Sequence, residues 1–230
     1  FYHWLKEKDI YLNAPDFYYL QGSNKCGIGY REVNWSLPRA QQIILGRQNI
    51  YDGTWEKTPS MAWTFVPLTE YHGGGAEATL EPLNDHLDSY KAHMVQNYGS
   101  GVQACYRGPR LYDTEATKKL VIDQISHYKK YREILNSDII HLRRPDGRSW
   151  DGFLHVNPHL DEKALVMLFN PTSKPLEEEI NLPMYFTGLD DEVQISERGK
   201  NQRTLILNRE YKLKIMVNIP ANGYTWYVVK

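Results

Sequence analysis

An α/β region followed by an all-β region is the fold class this sequence predicts, and three observations carry it. Up to Leu135, strand-like runs alternate with segments whose apolar residues recur at helical spacing. After about Asn136 the pattern changes to short strands separated only by turns. In the first region each cluster of Gly, charged and amide residues follows a strand and precedes a helix, the order that a parallel sheet with crossover helices produces.

The first strand–helix unit begins with an aromatic and aliphatic run, Phe17 to Leu20, and dissolves into the loop "YYLQGSNKCGIGYREVNW". Ser36 reads as the N-cap of the helix that follows, with Pro38 in the first turn, where its missing N–H costs nothing. That helix continues through Ile43, Ile44 and Gln48. The second strand is Met61 to Val66, stopped by Pro67; Leu83, Leu87, Tyr90, Met94 and Tyr98 then define a helix closed by Gly99 and Gly101. The third strand, Val102 to Tyr106, leads through Gly108-Pro109 to a helix capped by Asp113, with Val121, Ile125, Tyr128, Tyr131 and Leu135 as its apolar face. Seven short strands follow, Phe153–Val156, Ala164–Phe169, Glu177–Asn181, Glu192–Ser196, Thr204–Leu207, Leu213–Asn218 and Tyr224–Val229. Without intervening helices they suggest an antiparallel β-sandwich, entered through the turn-rich "RRPDGRSWDG".

Composition narrows the function classes. The chain has 230 residues, 41% hydrophobic and 24% charged, enough to bury a core. Its 27 Lys+Arg against 28 Asp+Glu leave a net charge of -1, which gives no electrostatic footprint for nucleic acid or an anionic membrane surface. No apolar run reaches the roughly 18 residues of a membrane span. The first residue is Phe1 and no leader pattern is visible, so the chain reads as a processed or truncated piece of something longer. Cys26 and Cys105 have neither metal-ligand nor disulfide-framework spacing and read as free thiols. Aromatic residues make up 13% of the chain, with 17 Tyr and 6 Trp, side chains whose flat faces and polar tips suit both cores and sugars.

The polar clusters hold the candidate chemistry. In a parallel α/β sheet, loops after strands lie at the ligand-bearing edge, so the three clusters are expected to converge. The first carries Arg31, Glu32, Asn34 and Trp35, with Glu32 its only carboxylate. The second, "PLTEYHGGG", carries Glu70 and His72 before glycines that let backbone approach a ligand. The third, "YRGPRLYD", places Arg107 and Arg110 beside Tyr106 and Tyr112, to clamp hydroxyls or to brace neighbouring loops. Each charged residue also has a structural reading, Glu32 as an ion pair with Arg31 and Glu70 as a capping residue at a hinge. No metal site is expected, because Glu70 and His72 lack a third ligand, and no cofactor motif is present: the glycines are not followed by Lys-Ser/Thr. No Gly-x-Ser-x-Gly elbow supports a serine triad. Carboxylates, amides, arginines and aromatics together point to a carbohydrate ligand.

The segments "SMAWTFVPLTEYHGG", "ISHYKKYREIL", "HLRRPDGRSWDGFLHV", "EKALVMLFNP" and "TGLD", in that order, resemble the C-terminal portion of α-galactosidase-like (melibiase-like) glycoside hydrolases. A closer resemblance, through "GYREVNWSLPRAQ" and "EYHGGG", is to uncharacterised bacterial glycosyl-hydrolase-like proteins. The resemblance implies that residues 1–138 are the last three βα units of a (β/α)8 barrel and residues 139–230 a C-terminal antiparallel β-sandwich. A whole barrel takes about 250 residues, so five units would lie outside this chain, with the nucleophile that the family carries after its fourth strand. The family's acid/base would fall in the first loop. Where the family has an Asp near that strand's end, this sequence has Gln21, Ser23 and Asn24, which leaves Glu32 as the candidate general acid/base. Arg31, Asn34, Trp35, Glu70, His72 and Arg107 would then line the sugar subsite. The implied partners are carbohydrate, and either the missing N-terminal barrel region or a second copy of the chain; the implied compartment is periplasmic or secreted. Two other readings stand beside this one: a non-catalytic carbohydrate-binding or scaffold module, and a structural sandwich whose α/β part docks a partner chain.

Overall fold

A computed structural model describes residues 2–10, 36–55, 63–69 and 75–230. They divide into two compact units, Phe1–Lys130 and Tyr131–Lys230.

The first unit is α/β. It contains α1 (Tyr2–Glu7), α2 (Arg39–Thr54), β1 (Trp63–Pro67), α3 (Leu87–Gly99), β2 (Gln103–Arg107) and the start of α4 (Glu115–Leu135). β1 and β2 pair in parallel, in register from Trp63 opposite Gln103 to Pro67 opposite Arg107. A parallel pair needs a crossover, and α3 supplies it, laying Tyr90 and Met94 against Val66, Leu68, Leu80, Leu83 and Val121 in one buried cluster. The expected strand Phe17–Leu20 lies outside the described residues.

Two helix starts differ from their sequence expectations. Ser36 does not cap α2: the helix begins after Pro38, whose carbonyl accepts from the N–H groups of Gln41 and Gln42. The cap comes from far along the chain, where the Glu77 carboxylate accepts the Arg39 N–H at 3.1 Å. A single-residue cap signal cannot reveal an acceptor supplied by another loop. At α4 the capping side chain is Thr114 rather than Asp113: the Thr114 hydroxyl accepts the Thr117 N–H at 3.3 Å, while the Asp113 carboxylate accepts the Thr117 hydroxyl at 3.0 Å. α3 ends as expected, with Gly101 in the left-handed region at φ 70° and the Ser100 hydroxyl donating to the Gln96 carbonyl at 2.6 Å.

α4 leaves helical geometry at Tyr131 (φ -110°, ψ 17°), where the two units divide. The second unit is antiparallel β. Its strands are β3 (Asp138–Arg143), β4 (Asp151–Val156), β5 (Ala164–Asn170), β6 (Leu176–Pro183), β7 (Glu192–Glu197), β8 (Lys200–Ile206), β9 (Lys212–Ile219) and β10 (Gly223–Val229). Six form one sheet in the order β3-β4-β5-β10-β7-β8, and β6 pairs with β9 in a second. All seven expected strands are present; β3 is the addition, a run whose "DIIHLR" lacks alternation because its middle residues are all half-buried. β9 buries every second residue, Leu213, Ile215, Val217 and Ile219, and these share one core with Ile180 and Leu182 of β6 and with Leu154, Val166, Leu168, Val193 and Ile195 of the larger sheet. Gly152 of β4 marks a close approach: a Cβ there would lie 2.3 Å from the Met167 carbonyl oxygen.

Candidate functional site

Because β1 and β2 run parallel, their C-terminal ends, Pro67 and Arg107, lie at one edge, and the segments that follow begin there. The ladder extends past the strands: the Leu68 N–H donates to the Arg107 carbonyl at 2.8 Å. Gly108 allows this, since a Cβ at that position would sit 2.6 Å from the Leu68 Cβ. The chain after β1 then folds back on itself, the Leu68 carbonyl accepting from the Glu81 N–H at 2.8 Å and from the Thr79 hydroxyl at 2.9 Å.

This returning segment ties together the helix starts of the first unit. Glu77 accepts the Arg39 N–H and also meets its guanidinium at 3.2 Å, while Arg39 reaches the Thr79 carbonyl at 2.9 Å. Gln42 donates to the carbonyls of Leu37 and Glu77 at 2.8 and 2.7 Å. Glu81 pairs with Arg110 at 3.0 Å. The Asn84 N–H donates to Asp113 at 3.3 Å, and the Thr114 hydroxyl donates to the Asn84 side-chain oxygen at 3.0 Å. Inside α3, Tyr90 donates its hydroxyl to the Leu111 carbonyl at 2.9 Å. The segments before α2, α3 and α4 are thus cross-linked at the edge where both strands end.

The ionisation states follow from these contacts. Burial is the largest single influence on Asp113 and opposes its ionisation, but hydrogen bonds from the Asn84 N–H, the Thr117 hydroxyl and neighbouring backbone together outweigh it and hold the carboxyl below its ordinary value. Burial, then the neighbouring Tyr98 and Asp113, pushes the Tyr90 hydroxyl up, and burial does the same to Tyr106, so both stay protonated, Tyr90 as the donor to Leu111. Through the contacts above, Glu77, Glu81 and Asp113 each brace this edge. Arg110 also braces, through its ion pair with Glu81. Glu77, Glu81 and Asn84 carry no local sequence signal for this role, because each acts on a partner about 30 or more positions away.

Of the sequence-predicted site residues, the structure places Arg107, exposed at the last position of β2. Glu32, Arg31, Asn34, Trp35, Glu70 and His72 lie outside the described residues. Among the described residues no group of three or more His, Cys, Asp or Glu is arranged to hold a metal ion. None of the described helices is long and apolar enough to cross a membrane.

No protein family matches this sequence, and no curated protein does. The fold has counterparts among solved structures. One is the galactosidase domain of an α-galactosidase–sucrose kinase, at a TM-score of 0.53 and 16% identity over 81% of this chain and 24% of that one. Another is a GH27 β-L-arabinopyranosidase from Geobacillus stearothermophilus in complex with arabinose, at 0.56 and 10% identity over 90% of this chain and 46% of that one. A third is a GH36 α-galactosidase from the same organism in complex with stachyose, at 0.50 and 19% identity over 81% of this chain and 24% of that one. The chain thus spans between a quarter and a half of the length of these α-galactosidase-like glycoside hydrolases, and at such identities the likeness is one of fold.

Proposed function

We propose that this chain is the C-terminal part of a glycoside hydrolase acting on the glycosidic bonds of oligo- or polysaccharides. In this reading residues 1–138 are the last three strand–helix units of a (β/α)8 barrel and residues 139–230 a β-sandwich that follows it. The observation that carries the reading is the in-register parallel pair β1–β2, whose C-terminal ends are cross-linked into one edge. An antiparallel β unit follows it, and the glycoside hydrolases of similar fold support that order. Ligands of parallel barrels bind at the C-terminal ends of the strands.

Cleavage of a glycosidic bond takes one carboxylic acid to protonate the leaving oxygen and one carboxylate to act as base or nucleophile. Glu77, Glu81 and Asp113 are each held by a structural partner. Glu32, in the loop where the resemblance puts the family's acid/base, is the general acid/base in this reading. The nucleophile then lies on the barrel units outside it. Arg31, Asn34, Trp35, Glu70, His72 and Arg107 line the sugar subsite, the arginines donating to hydroxyls and Trp35 covering a ring face. Glu32→Gln keeps side-chain size and removes the proton donor. In the polypeptide that contains the whole barrel, turnover of an unactivated oligosaccharide should fall by about 100-fold or more without loss of folding. Unchanged turnover would remove Glu32 from the mechanism. An absence of hydrolysis accompanied by retained sugar binding would identify the chain instead as a non-catalytic carbohydrate-binding module.

A further inference from the structure

We infer that the buried side of α3 holds an internal hydration site, in which water serves the side-chain amides of Gln96 and Asn97. The site does not depend on the proposed glycoside hydrolase activity. Gln96 and Asn97 are 2% and 1% exposed. Among the described residues, Gln96 Oε1 and both polar atoms of the Asn97 amide, Oδ1 and Nδ2, are sealed from solvent with no hydrogen-bond partner. A buried amide left in that state destabilises the fold unless another molecule meets it.

Other buried polar groups on these helices already spend their hydrogens elsewhere. The Ser100 hydroxyl, at the end of α3, donates to the carbonyls of Gln96 and Asn97 at 2.6 and 3.2 Å. On α2, the Thr54 hydroxyl donates to the Ile50 carbonyl at 2.8 Å, and Gln42 donates to the carbonyls of Leu37 and Glu77 at 2.8 and 2.7 Å. Packing holds Gln96 where it is: α2 approaches so closely that a Cβ on Gly46 would lie 2.7 Å from the Gln96 Nε2. His93 precedes Gln96 by three positions and Asn97 by four, so the three side chains border one patch on the helix.

The chemistry of the patch selects water over an ion. The two amide oxygens are acceptors and need a hydrogen donor, which an anion does not bring. Asn97 Nδ2 is a donor and needs an acceptor, which a bare cation does not bring. Arg47, 4% exposed at the position after Gly46, puts a further positive charge on α2 and disfavours a cation again. Burial holds the His93 imidazole neutral at pH 7, so it calls for no counter-ion. Water both donates and accepts, and immobilising it is less unfavourable than leaving buried amide groups dry.

Water–protein NOE and ROE spectra of the 15N-labelled 230-residue chain test the site. The Asn97 side-chain N–H protons should show cross-peaks at the water frequency, of opposite sign in the two spectra, as a long-lived bound water gives. Oxygen-17 relaxation dispersion of the solvent should lose the amplitude of a long-lived water in Asn97→Leu, which keeps the side-chain volume and removes its polar atoms. Asn218→Leu, on the exposed side of β9, should leave that amplitude unchanged. The spectra of the parent chain decide the matter even where Asn97→Leu does not fold. Absent cross-peaks, cross-peaks of equal sign, which mark proton exchange, or an unchanged amplitude in folded Asn97→Leu would each overturn the proposal.

Discussion

His93 provides a quantitative test of how the first unit is assembled. It lies on α3, 3% exposed, and burial lowers its imidazole from the ordinary 6.5 to about 4. The folded state therefore binds fewer protons than the unfolded one between those values. The stability that follows is fully present above pH 6.5 and lost as the pH falls toward 4. Each pH unit in that window costs about 1.4 kcal/mol, so moving from pH 7.5 to pH 5 should cost the parent chain about 2 kcal/mol. His127, lowered to about 4 by burial and then by Lys130, acts in the same direction, but it is only half-buried and its share is smaller. His93→Gln deletes the larger titration. Urea unfolding at the two pH values, on parent, His93→Gln and His93→Gln/His127→Gln, should show the pH penalty shrinking by about 2 kcal/mol in the first variant and further in the second. Equal pH penalties in parent and His93→Gln would show that the imidazole is not buried in the neutral state, and the packing of α3 would be wrong.

Two further substitutions probe the edge and the β core. Glu77→Gln removes the charged acceptor at the start of α2 and half of a partly exposed ion pair, so it should cost about 1 kcal/mol, an effect that shrinks in high salt when urea midpoints are compared. Gly152→Ala places a methyl 2.3 Å from the Met167 carbonyl oxygen and 2.9 Å from Leu168 in the middle of a buried sheet, and should destabilise the second unit by about 3 kcal/mol in thermal melts.

The β unit was the more legible half of the sequence because its signals are local. Alternation in β9 and the apolar run of β5 each declare a strand within a few residues, and "PANG" declares the turn before β10. β3 was hidden because half-burial of Ile139 to Leu142 erases the alternation on which a strand assignment depends. In the α/β unit, β1, β2 and the three longer helices were readable from periodicity and glycine stops, and their parallel pairing from the crossover argument. The bracing of the edge was not readable. Glu77 reaches back 38 positions to Arg39, and Arg110 reaches back 29 to Glu81; charge pairs at such separations leave no local pattern. Arg107 and Arg110 are alike in sequence, three positions apart in one loop, and geometry separates the brace from the residue at the strand end.

The most direct measurement of the central claim is a crystal structure of the barrel-containing polypeptide with a bound monosaccharide. The sugar should lie at the edge where Pro67 and Arg107 end the parallel strands, with the Arg107 guanidinium about 2.7–3.2 Å from a hydroxyl oxygen. A sugar bound at the opposite ends of β1 and β2, or bound only on the antiparallel unit, would contradict the assignment.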